Sequence, residues 1–449
     1  MYFFMGLFCL IFCFLSLNKL AGIGNLRRPN VMSIIFYLYF FIQFFFASLL
    51  VVYNLDDHYI LNKLSNNDSR YYGWLAINAV FILFPLGVWL SNIVFLRVHS
   101  SINYYERYLE KPVVRPLGNA SDNDMNIVLG IFLLLGIVLL YYVISNVGFL
   151  GLKELMFGVD VGFSSLRQDA SKQFGGNVFV RNQFLSNILP VATCVSYSFF
   201  IRKRTFLSRI WFIGFFSISI LALTYDFSKA PIIYLLIGLL FVNLYHTGYI
   251  KLRYSLYFVG VLIAVLLAQY FVLTSYDIPV ALNAGPIGRL LISQSTGLFL
   301  AFDYFGTQHD YLWFSSLSSF LSEFLGLDSS PRAARLLLEY YNGRAVERGA
   351  GGVINSLFVQ EAYANFGWGG VVIAPIWVGF VCQSMMNLFI RLPKNDFMVG
   401  LQAKMIIGGA VAGGFNDYFY RPSLFIFIVI CALTYFIYLL IPKRTGVDQ

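Results

Sequence analysis

The hydrophobic pattern of this chain is a series of long apolar runs separated by short polar breaks. Crossing the roughly 30 Å of a bilayer's hydrocarbon takes about 20 apolar residues in a helix. About eleven runs approach that length, at 2–18, 31–54, 73–97, 126–148, 184–201, 210–224, 230–247, 255–275, 366–390, 397–415 and 422–441. In lipid, backbone groups must bond to one another, and an apolar run of this length does so as a helix. The pattern therefore predicts an all-α polytopic membrane protein. Two polar interruptions are longer than the rest: 149–183, and 276–365 between the eighth and ninth runs.

Inside the longer interruption the pattern changes. From Gly288 to Phe302 it is apolar enough to dip into the membrane, with Arg289 at its mouth, and backbone at that depth must be received by protein or a wet cavity. Leu317, Phe320, Leu321, Phe324 and Leu325 recur at helical spacing, with Ser315, Ser316, Ser319 and Glu323 off that face. That spacing predicts a helix lying in the interface plane. Ser330-Pro331-Arg332 predicts a cap with proline in the first turn of a helix that Gly343 stops. Arg332, Arg335 and Glu339 share a face of it, and Arg335 and Glu339 are spaced to pair with each other.

Composition narrows the class. Of 449 residues, 59% are hydrophobic and 12% charged, which leaves no stretch for a soluble domain of ordinary size. Residues 1–449 read as one membrane-embedded domain carrying two sizeable loops. A net charge of +9 would suggest nucleic acid in a soluble chain. Here most of the Lys and Arg fall in one alternating set of loops, 19–30, 98–125, 202–209, 248–254, 391–396 and the tail. By the positive-inside rule that set is cytoplasmic, the N-terminus lies outside and the C-terminus inside, and no nucleic-acid partner is implied. All five cysteines lie inside apolar runs, which supports neither a disulfide framework nor a cysteine metal site. The first run has its positive charges behind it and no small-residue cleavage site, as an uncleaved span would.

Both long loops then lie on the outer face, and their charges become candidate chemistry. Arg167, Lys172 and Arg181 run against the inside bias and suggest an anionic partner, with Arg181 alternatively snorkelling at a helix end. Lys229 opens a span, where the helix dipole disfavours a cation; it is either a phosphate ligand or the partner of Asp226. Arg348-Gly349-Ala350-Gly351-Gly352 could wrap N–H groups and a guanidinium around a phosphate, or be plain flexible loop. Glu361 stands at the outer end of the ninth run beside Tyr363 and Asn365, and an ionisable group at that depth is a functional candidate by default, here a base. Asp56-Asp57-His58 is either a divalent-cation site or a solvated acidic loop. Asn416-Asp417-Tyr418-Phe419-Tyr420 offers groups that stack on and bond sugars, or an aromatic belt.

The short Ser228-Lys229-Ala230-Pro231 turn comes first, then Arg289 leading Leu290-Leu291-Ile292-Ser293-Gln294. Asn355-Ser356-Leu357-Phe358, Glu361-Ala362-Tyr363-Ala364-Asn365 and Phe366-Gly367-Trp368-Gly369-Gly370 follow. In that order the chain resembles the O-antigen polymerases, the oligosaccharide repeat-unit polymerases of Gram-negative inner membranes. Some members carry an Arg-x10-Gly pattern in outer loops; Arg332 and Gly343 have that spacing, whereas Val178 stands at the matching place after Arg167. The resemblance implies a membrane glycosyltransferase of GT-C-like fold. It would move the growing glycan from undecaprenyl pyrophosphate to the terminal sugar of the next lipid-linked repeat unit on the periplasmic face. Glu361 would be the base, and Arg289, Arg348, Lys229, Arg167 and Arg332 would hold the pyrophosphate, with Asn355 and Tyr363 beside the substrate. Neither a metal nor another cofactor is required, and a chain-length-regulating copolymerase is the implied partner besides lipid. The O-antigen ligases are the nearest rival, but they place a His beside the Asn that opens the ninth-span motif, where this chain has Ile354. A flippase or transporter of lipid-linked sugars would bury charges at mid-membrane and show internal repeats; only Lys404 is deep in a run, and no repeat is evident.

Overall fold

The structure is a computed structural model, and it describes residues 1–114, 121–148, 174–225, 230–251, 288–317, 319–347, 352–408 and 411–419, with a few single positions between. Among the described residues every regular element is helical and no strand forms. In chain order the principal ones are α1 (Tyr2–Ala21), α2 (Val31–Val52, with a π-helical middle), α3 (Asp68–Leu96), α4 (Ile102–Glu110) and α5 (Asp122–Val147). Then come α6 (Leu189–Lys203), α7 (Phe206–Leu223), α8 (Ala230–Thr247), α9 (Thr296–Tyr304) and α10 (Ser319–Phe324). The last three are α11 (Ala333–Glu347), α12 (Val359–Arg391) and α13 (Asp396–Gly408).

Six of them, α1, α2, α3, α5, α7 and α12, are long and apolar enough to cross a membrane. The runs at 184–201 and 230–247 are also helical, and the one at 397–415 holds the 13-residue α13. The runs at 255–275 and 422–441 lie outside the described residues. Phe4, Phe8, Phe12 and Leu15 on α1, and Leu134, Val138 and Tyr141 on α5, are exposed, as side chains that meet lipid tails should be.

The chain divides into two compact units. One comprises Met1–Tyr104, Tyr276–Ile390 and Gly409–Arg421; the other comprises Tyr105–Ser275, Arg391–Gly408 and Pro422–Gln449. In the second, α6 packs against α7, α8 and α13. A Cβ on Gly400 of α13 would fall 2.5 Å from the Val195 side chain of α6, so small residues set that approach.

The first unit is organised by the crossing of α3 and α12. A Cβ on Gly87 would lie 1.9 Å from the Ile376 carbonyl oxygen, and one on Gly379 would lie 2.4 Å from that of Phe84. The two backbones touch because neither glycine has a side chain, the usual way apolar helices gain dispersion contact in lipid. Along the same seam lies a neutral polar cluster. Gln383 donates to Asn92, Ser101 and Asn387 at 2.9–3.0 Å, and Asn387 donates to Ser91 and Asn92, each at 3.1 Å.

The segment before α3 is anchored by Asp303, at the end of α9. Its buried carboxylate accepts from the backbone N–H of Ser65 (2.9 Å) and Asn66 (2.8 Å), from the Ser69 hydroxyl (3.3 Å) and from the Tyr341 hydroxyl of α11 (2.5 Å). Burial, and then the bond to Asp303, push the Tyr341 phenol well above its ordinary pKa, so it stays a donor. A carboxylate also suits the positive end of the helix that follows. The stretch expected to dip into the membrane forms a π-helical turn at Arg289–Ser293 followed by α9, whose residues from Thr296 to Asp303 are all buried by protein.

Two local expectations come out differently. The helix after Ser330 begins at Ala333, with the Arg332 carbonyl accepting from the N–H of Arg335 and Leu336. It does not stop at Gly343: the backbone breaks at Asn342 (φ −141°, ψ 41°) and helix resumes to Glu347. The helix expected in the interface plane forms over Ser319–Phe324, and Phe324, Leu325 and Leu327 at and after its end are exposed.

Candidate functional site

The helix that carries the ninth apolar run is broken at the start of that run, and that break makes the site. Gly367 of α12 takes φ 57°, ψ −144°, a conformation open only to glycine, which separates a short front half, 359–366, from the long remainder. A Cβ on Gly370 would lie 2.1 Å from the Ala362 carbonyl oxygen, so a second glycine lets the two halves stay close. Carbonyls orphaned at the break need donors. The N–H groups of Leu312 (2.9 Å) and Trp313 (3.0 Å) supply them, to Ala364 and Asn365. On the other side, the Phe358 N–H donates to Val411 (3.0 Å) and Leu357 bridges to Ala412. The front half of α12 is thereby held between segments 312–316 and 411–418, which are far apart in sequence.

Side chains close the assembly. Glu361 lies in the first turn of the front half, with its side chain 5% exposed. Its Oε1 accepts from Arg332 Nε (2.7 Å), and its Oε2 accepts from the second guanidinium nitrogen (2.8 Å) and the Asn416 backbone N–H (2.9 Å). This is a fork-to-fork pair, the strongest geometry a carboxylate and guanidinium have. Its supports form a closed circuit. Asn365 donates to the Glu361 carbonyl (2.7 Å), Ser316 donates to Asn365 (2.8 Å), and the Asn416 amide donates to Ser316 (3.0 and 3.1 Å). The remaining guanidinium nitrogen of Arg332 bonds Asp417 Oδ1 at 3.0 Å. Burial works against the charge on Arg332, but the bonds and charges of Glu361, then Asp417, more than offset it and hold its pKa above the ordinary value.

Gly414 shows how tightly the pair is enclosed. A Cβ there would sit 1.6 Å from an Arg332 guanidinium nitrogen and 2.2 Å from Glu361 Oε2. Only a bare backbone fits over the ion pair.

Of the residues the sequence picked out, Arg332 and Glu361 are in direct contact. Asn355 is exposed, next to Ile354, whose N–H bonds the Ala334 carbonyl at the start of α11 (3.0 Å). Tyr363 is buried, its ring 4.0 Å from Phe302, and its hydroxyl donates to the Phe305 carbonyl (3.4 Å). It packs the break in α12. The backbone of Arg289 opens the π-helical turn before α9. Arg348, Lys229 and Arg167 lie outside the described residues. Arg335 pairs with Glu339 (2.6 Å) along α11. Asp56 is buried against Arg70, so that carboxylate serves an internal ion pair. Among the described residues no group of His, Cys, Asp and Glu is placed to hold a metal ion.

Sequence reasoning saw Asp417 only as part of an aromatic turn. Its position fifty-six residues past Glu361 gives no periodic signal, and only the fold brings it to Arg332. No family model, curated protein or solved structure matches the chain. The chemistry must be judged from the site. It combines one guanidinium with two carboxylates, one buried and one partly open, beside the exposed aromatic rings of Trp313, Phe314 and Phe419.

Proposed function

We propose that the protein is a membrane glycosyltransferase that polymerises lipid-linked oligosaccharide repeat units. The growing glycan leaves its undecaprenyl pyrophosphate carrier and joins the terminal sugar of the next lipid-linked unit on the periplasmic side of the inner membrane. The observation that carries this reading is the convergence of Arg332, Glu361 and Asp417 on the broken end of a membrane-length helix. Glycosyl transfer needs a carboxylate to take the proton of the attacking hydroxyl and cations to stabilise the departing pyrophosphate. The site supplies the carboxylates. Arg332 bridges two of them, so the trio carries one net negative charge and the pyrophosphate cations must come from elsewhere. Arg289, Arg348, Lys229 and Arg167 are assigned that part. Exposed aromatic rings at the rim suit the apolar faces of sugars.

The test is deletion of the gene followed by gel analysis of surface glycan. Single-repeat product with no ladder, restored to a ladder by the wild-type chain, is the expected result. Loss of all attached glycan would instead mean a ligase or a flippase.

A further inference from the structure

Two carboxylates flank Arg332, and they are not equivalent. Glu361 is 5% exposed and both its oxygens are occupied, by two guanidinium nitrogens and the Asn416 N–H. For it to receive a proton from a sugar, a bidentate pair would have to open, and leaving its buried carboxylate without the cation is unfavourable. Asp417 is 35% exposed and only its Oδ1 is engaged, by one guanidinium nitrogen. Among the described residues nothing bonds Oδ2.

We infer that Asp417 is the catalytic base of the proposed transfer and that Glu361 is a positioning residue acting through Arg332. The inference rests on the glycosyltransferase reading above. In the step it describes, the acceptor sugar's hydroxyl oxygen forms a bond to the donor's anomeric carbon. The bond from that carbon to the pyrophosphate oxygen breaks, and its electron pair leaves with the diphosphate. As the new bond forms, the attacking oxygen becomes cationic and its proton acidic, so a carboxylate within hydrogen-bond reach can take it. The proton passes to Asp417 Oδ2 and later to water.

The arrangement explains why three groups are needed. Arg332 fixes the Asp417 carboxylate through Oδ1, while the side chain stays 35% exposed and, among the described residues, Oδ2 takes no bond. Glu361 fixes Arg332 by two bonds, and the Asn416–Ser316–Asn365 circuit fixes both Glu361 and the backbone just ahead of Asp417. A base needs geometry first, within one hydrogen bond of the hydroxyl. Only the partly open carboxylate can offer that without rearrangement.

The experiment uses the deletion strain complemented with the full chain, the cell's own lipid-linked repeat unit serving as probe. Asp417→Asn should reach the membrane at the wild-type level and keep the wild-type thermal midpoint in detergent. It should nevertheless lower the yield of chains longer than one repeat by at least about 100-fold, the scale of a lost general base. Asp417→Glu, which restores a carboxylate, should recover part of the ladder, a rescue that a merely structural role would not show. A full ladder from Asp417→Asn would overturn the assignment while leaving the polymerase reading intact. So would a loss of ladder accompanied by a lowered thermal midpoint and no rescue by Glu. If deletion itself removes all attached glycan, the polymerase reading falls, and this inference with it.

Discussion

Asp303 and Asp417 are both carboxylates of the same compact unit, and the structure uses them in opposite ways. Asp303 is buried and takes four donors from two segments, residues 65–69 and α11, none of them a cation. Every lone pair it offers is spent on holding the start of α3 against α9 and α11. Asp417 takes one side-chain bond among the described residues, from an arginine whose side chain is itself 43% exposed, and there its second oxygen takes none. The difference teaches that an acid in a membrane protein's polar loop is not a catalytic signal by itself. What distinguishes the two is residual capacity: a saturated carboxylate is an anchor, and an unsaturated one held in place by a cation is available for chemistry.

The largest expected effect breaks the anchor. Asp303→Ala strands the buried hydroxyls of Ser69 and Tyr341 and frees two partly buried backbone N–H groups, and should cost roughly 4 kcal/mol, since each unsatisfied buried group costs about 1–3 kcal/mol. It should be read as a much lower thermal midpoint in detergent. Next, Arg332→Met leaves Glu361 buried without a cation. Losing one partner of a fully buried pair costs about 3–5 kcal/mol, and the half-open setting of Arg332 should hold this case to roughly 3 kcal/mol. The ladder should vanish as well. Gly414→Ala forces the ion pair apart without removing any charge and should cost about 2 kcal/mol as an overpacking change. A wild-type midpoint for that variant would show that the pair is not enclosed as described. Asp417→Asn sits at the other end of the scale, within about 0.5 kcal/mol of wild type as a partly exposed polar swap.

A pH-dependent effect extends the contrast to a cation in the other unit. Lys394 is buried and donates to the Leu109 (2.9 Å) and Lys111 (2.6 Å) carbonyls, with no carboxylate partner among these bonds. Burial, and then the charge of Lys111, lower its pKa from 10.5 to about 8. Between those two values the unfolded chain keeps a proton that the folded chain has released, so stability rises with pH across that window. The difference in thermal midpoint between pH 8 and pH 10 should therefore be more positive for the wild-type protein than for Lys394→Met. Equal differences in the two proteins would show that Lys394 keeps its ordinary affinity for the proton.

Much of this was legible from the order of residues. Runs of about 20 apolar residues have one backbone solution in lipid, so the helical class and the positions of α1, α2, α3, α5 and α7 follow from hydropathy alone. Arg335 and Glu339 pair because their spacing on a helix puts them together. Glu361 stood out as an ionisable group at the outer end of an apolar run, and Arg332 was one of several arginines in the long outer loop. What the order could not show is which charges meet. Gly367 breaks α12 only because other segments supply donors to the freed carbonyls, and Asp417 reaches Arg332 only because 411–418 folds back on the front of that helix. Local pattern is set by short-range periodicity and the solvent. The saturation of a carboxylate depends on partners dozens or hundreds of residues away, and that is decided by packing.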